Sequence, residues 1–189
     1  MKNSDLKQKC VLSLILVIVM AVVLFYTYED TPQNQYSGII RLHVIANSDS
    51  EEDQELKLKV RDEIIKKTKS LQESQSIEDS REYLQTHLND MEETANKVIK
   101  ENGKSYKAEA NLGIRWIPEK TYGDMYFPAG NYEALNLTLG RGEGQNWWCV
   151  LFPPLCLIEE DEEAIKEMGI SEEQKIEIKW KLMDVLKEK

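Results

Sequence analysis

The chain has 189 residues, enough for one domain with a sizeable core and short for two. With 24 Lys and Arg against 34 Asp and Glu its net charge is −10, so the basic footprint of a nucleic-acid binder is missing. Its two histidines and three cysteines form no cluster with zinc spacing.

Lys2, Lys7 and Lys9 precede CVLSLILVIVMAVVLFYTY, residues 10–28, a run without a charged residue. As a helix it extends roughly 28 Å, close to the hydrocarbon thickness of a bilayer. Lysines before it, and Glu29 and Asp30 after it, put the N-terminus in the cytoplasm and the remainder across the membrane. The exit LFYTYEDTPQ offers no small residues at cleavage spacing before Ser37-Gly38. An uncleaved anchor is therefore favoured over a cleaved signal peptide. The expected organisation is a cytoplasmic tip and hydrophobic helix over 1–28, a polar linker over 29–37 and an exported domain over 38–189.

GIIRLHVIA, residues 38–46, reads as a buried strand. In NSDSEEDQE, Ser48 with Glu51 and Ser50 with Asp53 are cap signatures, and the acids suit the first turn of a helix. Leu56, Val60 and Ile64 form one stripe, which predicts a helix to about Lys69. A second helix is expected from Ser76, with Ile77, Leu84, Leu88, Met91, Ala95 and Val98 on one side and Gly103 as its stop. Tyr106, Ala108, Ala110, Leu112, Ile114 and Trp116 alternate with polar residues, the mark of a half-buried strand. IPEKTYGDMYFPAG reads as a long connection. NYEALNLTLG and NWWCVLF read as two further strands, and the short RGEG between them predicts an antiparallel hairpin. A last helix is expected over 171–187, with Ile176, Trp180, Met183 and Leu186 facing inward. The class is α+β, a single domain with a mostly antiparallel sheet packed by helices.

Candidate chemistry is sparse. Cys149 with His43 has the residue types of a nucleophile and its base, but both sit within apolar strands, where inert packing is the ordinary role. Cys149 and Cys156 flank Pro153-Pro154. They could close a disulfide in an oxidising compartment, or lie reduced as small apolar side chains; the stiff Pro-Pro step argues against closure. Asp49, Glu51, Asp53 and Glu55 alternate like calcium ligands but lack the glycine and closing glutamate of an EF-hand loop. GRGEGQ lacks the Lys-Ser/Thr of a phosphate loop. No cofactor is expected. Trp147 and Trp148 are adjacent in a strand and so must face opposite ways. With Asn146, Tyr126, Phe127, Tyr132 and Arg141 they make the best candidate for a partner-binding surface.

Two long blocks, IIRLHVIANSDSEEDQELKLKVRDEII (residues 39–65) and YFPAGNYEALNLTLGRGEGQNWWCVLFPPLCLIE (residues 126–159), follow the hydrophobic export segment. Together they resemble the stage II sporulation protein R family of endospore-forming bacteria. The positions carrying that resemblance are Arg41, His43, Ala46, Asn47 and Ser48 in the first block. In the second they are Pro128, Gly130, Tyr132, Gly142, Gly144, Asn146, Trp147, Trp148, Cys149, Pro153, Pro154 and Cys156. The resemblance implies a protein made in the forespore and exported into the space between the two membranes around it. There it would signal to a membrane-embedded aspartic protease of the mother cell, which then processes pro-sigma-E. It implies a protease activator rather than an enzyme, with no small-molecule substrate, and a membrane contact through residues 10–28. An exported thiol-dependent hydrolase acting on cell-wall material is the alternative, and Cys149 would be its nucleophile.

Overall fold

The computed structural model describes residues 12–22, 36–74, 76–122 and 125–157. The chain forms two units, residues 1–32 and 33–189. In the first, residues 12–22 are helical (α1) and their apolar side chains are exposed. None of the described helices is long and apolar enough to cross a membrane. The rest of the run 10–28, and the helix expected over 171–187, lie outside the described residues.

The second unit mixes helix and sheet. Its elements run β1 (Ile40–Ile45), α2 (Glu51–Lys67), a 3-10 turn (Thr68–Glu73), α3 (Ile77–Thr86), α4 (Leu88–Glu101), β2 (Ala108–Ile117), β3 (Lys120–Tyr122), β4 (Met125–Phe127), β5 (Gly130–Leu139), β6 (Asn146–Phe152) and a 3-10 turn (Leu155–Leu157). The main sheet has the order β2-β5-β1-β6, and β3 with β4 makes a separate two-stranded ribbon. β1 is parallel to β5, while β1–β6, β2–β5 and β3–β4 are antiparallel, so the sheet is mostly antiparallel.

β1 is central because both of its faces are buried, as a near-continuous apolar strand requires. Toward one face point Ile40, Leu42 and Val44, with Leu135, Leu137, Leu139, Cys149 and Leu151. Leu56, Val60 and Ile64 of α2 and Met91, Ala95 and Val98 of α4 close over them. Each such fully buried aliphatic side chain contributes about 1.5–3 kcal/mol. The second face carries no described helix. Its smaller cluster gathers Ile39, Ile117, Tyr122, Met125, Phe127, Tyr132, Ala134, Val150 and Leu155, and the β3–β4 ribbon supplies its cover.

Four expectations are corrected. β5 and β6 do not form a hairpin, because β1 is inserted between them and pairs with both. The segment 118–129 is not an irregular connection but contains the β3–β4 ribbon, which Tyr122, Met125 and Phe127 anchor to the second face. The helix expected from Ser76 to Gly103 is broken at His87, whose ring Nδ1 lies 2.8 Å from the Tyr83 carbonyl and whose ring stacks on Tyr83. Its backbone leaves helical geometry at φ −111°, ψ 15°. Trp116, read as one of the apolar inward positions of its strand, is 64% exposed, because β2 is an edge strand. The stop at Gly103 is borne out: its φ is +73°, and the Gly103 and Lys104 amides donate to Lys100 O and Ile99 O.

Candidate functional site

The two long sequence blocks meet at the C-terminal end of β1. The loop 140–145 leaves β5, crosses the end of β1 and enters β6. It is fastened to the turn 46–50 by backbone bonds from Gly144 N to Ala46 O (2.9 Å), Glu143 N to Asn47 O (3.3 Å) and Ala46 N to Gln145 O (3.4 Å). Arg141 N donates to Asn47 Oδ1 (3.0 Å) and Gln145 N to Asp49 Oδ1 (2.8 Å). A Cβ on Gly144 would clash with the Ser48 carbonyl group. Gly140 and Gly144 of GRGEG therefore lie against this protein's own ANSDS turn, while Gly142 lies against Thr138.

Asp53 is the hub beneath that turn, 4% exposed. It accepts from Ser48 Oγ (2.6 Å), Asn47 Nδ2 (2.7 Å) and Tyr106 OH (2.7 Å), while its own amide is capped by Ser50. These bonds fill the carboxylate, and the neighbouring acids do not converge on it. Among the described residues no cluster of three potential ligands could hold a metal ion. Burial pushes the Asp53 pKa up, but the hydrogen bonds from Ser48, Asn47 and Tyr106 outweigh it and hold it at about 2 rather than 3.8. A depressed carboxylate stabilises the fold above its unfolded pKa, and that contribution fades as pH falls toward the folded one. Asp53→Ala should therefore cost about 2–3 kcal/mol at neutral pH. It should also flatten the loss of stability between about pH 4 and pH 2, as read by denaturant titrations across that range.

The second face of the sheet is divided. Toward the N-terminal end of β1, Arg41 is fully buried. Its Nε donates to Cys149 O (2.9 Å) and an Nη to Tyr122 OH (3.0 Å). Its guanidinium lies 5.1–5.7 Å from the ring centres of Tyr132, Phe127 and Tyr122. Among the described residues no acid pairs with it and its Nη1 has no hydrogen-bond partner. Tyr122 OH in turn donates to Trp148 O (3.0 Å). Arg41 thus pins the ribbon to the sheet.

Toward the other end of β1 the second face carries a polar row, in which His43 and Asn136 are buried. His43 lies between Asn136 of β5 and Trp148 of β6. Asn136 Nδ2 is committed to Ala134 O and to Asn111, so its Oδ1 faces His43 Nδ1 (3.2 Å) and that nitrogen donates. Burial lowers the His43 pKa, against the hydrogen bonds to Asn146 and Asn136 that raise it. Its Nε2 lies 2.9 Å from Asn146 Oδ1. The Trp148 ring stacks on His43 at 5.4 Å, and Lys120 Nζ lies 4.9 Å from its centre. Exposed Asn111, Arg115 and Asn146 surround this row.

The structure does not gather the sequence candidates into one patch. Trp147 and Trp148 do face opposite ways: Trp147 packs against the helix-side core, with Arg61 5.0 Å from its ring, and Trp148 lies on the second face. Phe127 and Tyr132 have no exposed surface, so they support that face from beneath. Tyr126 is 53% exposed on the ribbon, whereas Arg141 and Asn146 lie at the opposite end of the sheet. Residues 126–132 and 141–146 are separated by the length of β5, ten residues or about 33 Å, and cannot form one docking end. Tyr132 OH donates to Pro128 O (2.6 Å), and Pro153 and Pro154 are buried in the bend after β6.

Cys149 and His43 cannot act as a dyad. Cys149 pairs with Leu42 and shares its face, one residue out of phase with His43. Cys149 is also joined to Cys156 in a disulfide, with Cα atoms 5.5 Å apart, so the Pro-Pro bend does admit closure. The sequence reading passed over Asn111, Asn136, Arg115 and Lys120. Their placement depends on β1 lying between β5 and β6, and no local pattern signals that.

The domain is thus α+β, with one helix-covered face, an internal polar hub at Asp53 and a polar row around His43. The chain belongs to the stage II sporulation protein R family, whose sequence model matches residues 36–162. It is 40% identical over 159 residues, 83% of this chain and 71% of the relative, to the stage II sporulation protein R of Bacillus subtilis strain 168. It is thus a sporulation protein. No solved structure matches the chain.

Proposed function

We propose that this protein is the exported signal by which the forespore activates a membrane-embedded aspartic protease of the mother cell, leading to processing of pro-sigma-E. Membership of the stage II sporulation protein R family carries the reading. The lysine-flanked apolar run at 10–28 and the exposed apolar side chains of α1 support export across the forespore membrane with the N-terminal helix as anchor. The oxidised Cys149–Cys156 pair suits an extracytoplasmic space.

The docking surface is the polar part of the second face, where half-buried Trp148 and Lys120 lie among exposed Asn146, Asn111 and Arg115. A binder activates by favouring one state of its target, and the shift cannot exceed its differential affinity for the two states. In cells producing the protease and its pro-sigma-E substrate, Trp148→Ala should weaken docking about thirtyfold, the scale of a hot-spot truncation near 2 kcal/mol. Pro-sigma-E processing should fall with it while the exported domain still accumulates. A Trp148→Ala protein that is folded, exported and fully active would remove this face from consideration.

A further inference from the structure

We propose that two copies of this chain pair through the free edge of β2, antiparallel and about a two-fold axis at Ile114, joining their sheets into one of eight strands. The even-numbered residues of β2 turn their backbone groups away from β5. This follows from Ala108 N and Ala110 N, which bond not to β5 but to Asn96 Oδ1 (2.8 Å) and Glu92 Oε2 (3.2 Å) of α4. α4 thus caps the first part of the edge.

Beyond Ala110 the cap ends. The outward amides and carbonyls of Leu112, Ile114 and Trp116 meet no backbone partner among the described residues. Among the described residues the side-chain hydrogen bond there is a 3.3 Å approach of Arg115 Nη1 to Ile114 O. At the next outward position stands Pro118, which has no amide to donate. The open window is therefore three outward residues long and symmetric about Ile114.

One register alone uses all of it in both copies. Pairing Ile114 with Ile114 of a second copy puts Leu112 opposite Trp116 and Trp116 opposite Leu112, which pairs three amides and three carbonyls on each side. A shift one way sets Trp116 against the already capped Ala110. A shift the other way sets Leu112 against Pro118 and brings two Arg115 side chains face to face, which is unfavourable.

Side chains agree with the same register. Leu112, Ile114 and Trp116 of both copies fall on one face and make a continuous apolar strip, covering a Trp116 that is 64% exposed in the single chain. On the other face each Arg115 meets Gly113 of the partner, where an added Cβ would find just Asn111 Oδ1 at 3.8 Å. An uncapped strand edge beside an exposed tryptophan is a template for pairing, and its self-complementary bounds select a second copy. This inference is independent of the protease reading, whose surface is the sheet face and not its edge.

The test uses the full chain in membranes and in detergent, with Cys10→Ser as background. Ile114→Cys should give an oxidant-dependent covalent dimer, because opposed residues of a hydrogen-bonded pair have Cα atoms about 5.5 Å apart. Glu109→Cys, far from the axis, should not. Ile114→Lys sets two like charges opposite one another and should shift the sedimentation profile from dimer to monomer at least tenfold in concentration. A chain that is monomeric at every micromolar concentration overturns the proposal. So does equal cross-linking at 109 and 114, or covalent capture at 114 of a different protein in place of a second copy.

Discussion

Arg41→Ala should cost about 3–5 kcal/mol, a large part of the stability of a domain this size. Arg41 is fully buried and touches three aromatic rings, one carbonyl and one hydroxyl. Truncation leaves a cavity, removes the cation–π contacts and strands Cys149 O without its donor. Tyr122 keeps its bond to Trp148 O, so that hydroxyl is not orphaned. Arg41→Lys should fare little better than alanine, because an ammonium cannot lie flat among the rings while reaching both oxygens. Arg41→Met should recover about half the loss. It refills the space, and no acid among the described residues is left unpaired by removing the charge. Denaturant midpoints of the detergent-solubilised full chain, followed by tryptophan fluorescence, give the order directly. A Met variant no better than Ala would mean that the hydrogen bonds, rather than the packing, dominate.

Gly144→Ala is expected to be the second most damaging change, at about 3 kcal/mol. The added Cβ meets the Ser48 carbonyl, which is backbone and cannot swing aside. The loop 140–145 must lift from the turn 46–50, which loosens the amides on Ala46 O and Asn47 O and, through Asn47, the hold on Asp53. Gly103→Ala is the comparison. Its φ is +73° but nothing lies within 4 Å of the added atom, so the conformational cost of about 1 kcal/mol is all that applies. Hydrogen exchange at residues 46–50 and 140–146 should rise in the first variant and stay unchanged in the second. Equal effects of the two substitutions would show that the packing at Gly144 is not what holds the loop.

Much of the fold was legible because local signals and burial agree. The apolar run around Leu42 and Val44 predicts a strand buried on both faces, and the Ser50 cap with Leu56, Val60 and Ile64 predicts α2 and the face it buries. What failed was pairing. RGEG has the length of a hairpin turn, so β5 and β6 look like neighbours, yet β1 offers partners to both and takes the place between them. That insertion puts Asn136 and Trp148 on either side of His43 and sends residues 126–132 and 141–146 to opposite ends of the sheet. The adjacency of Trp147 and Trp148 correctly gives them opposite faces. It says nothing of the ribbon that covers half of the second face, because β3 and β4 are three residues each and sit in a segment rich in turn formers. Arg41 shows the same limit, since a lone arginine in an apolar strand carries no sign of the rings that will enclose it.

The measurement that bears most directly on the docking account is photo-cross-linking from single positions of the full chain in sporulating cells. A cross-linker at Asn146 or Asn111, both exposed beside the polar row of the second face, should capture the membrane-embedded protease. One at Lys66 or Lys97, exposed on the helix layer, should not. Capture from the helix positions and none from 111 or 146 would contradict the assignment of the docking face, and no protease from any of the four would contradict direct activation.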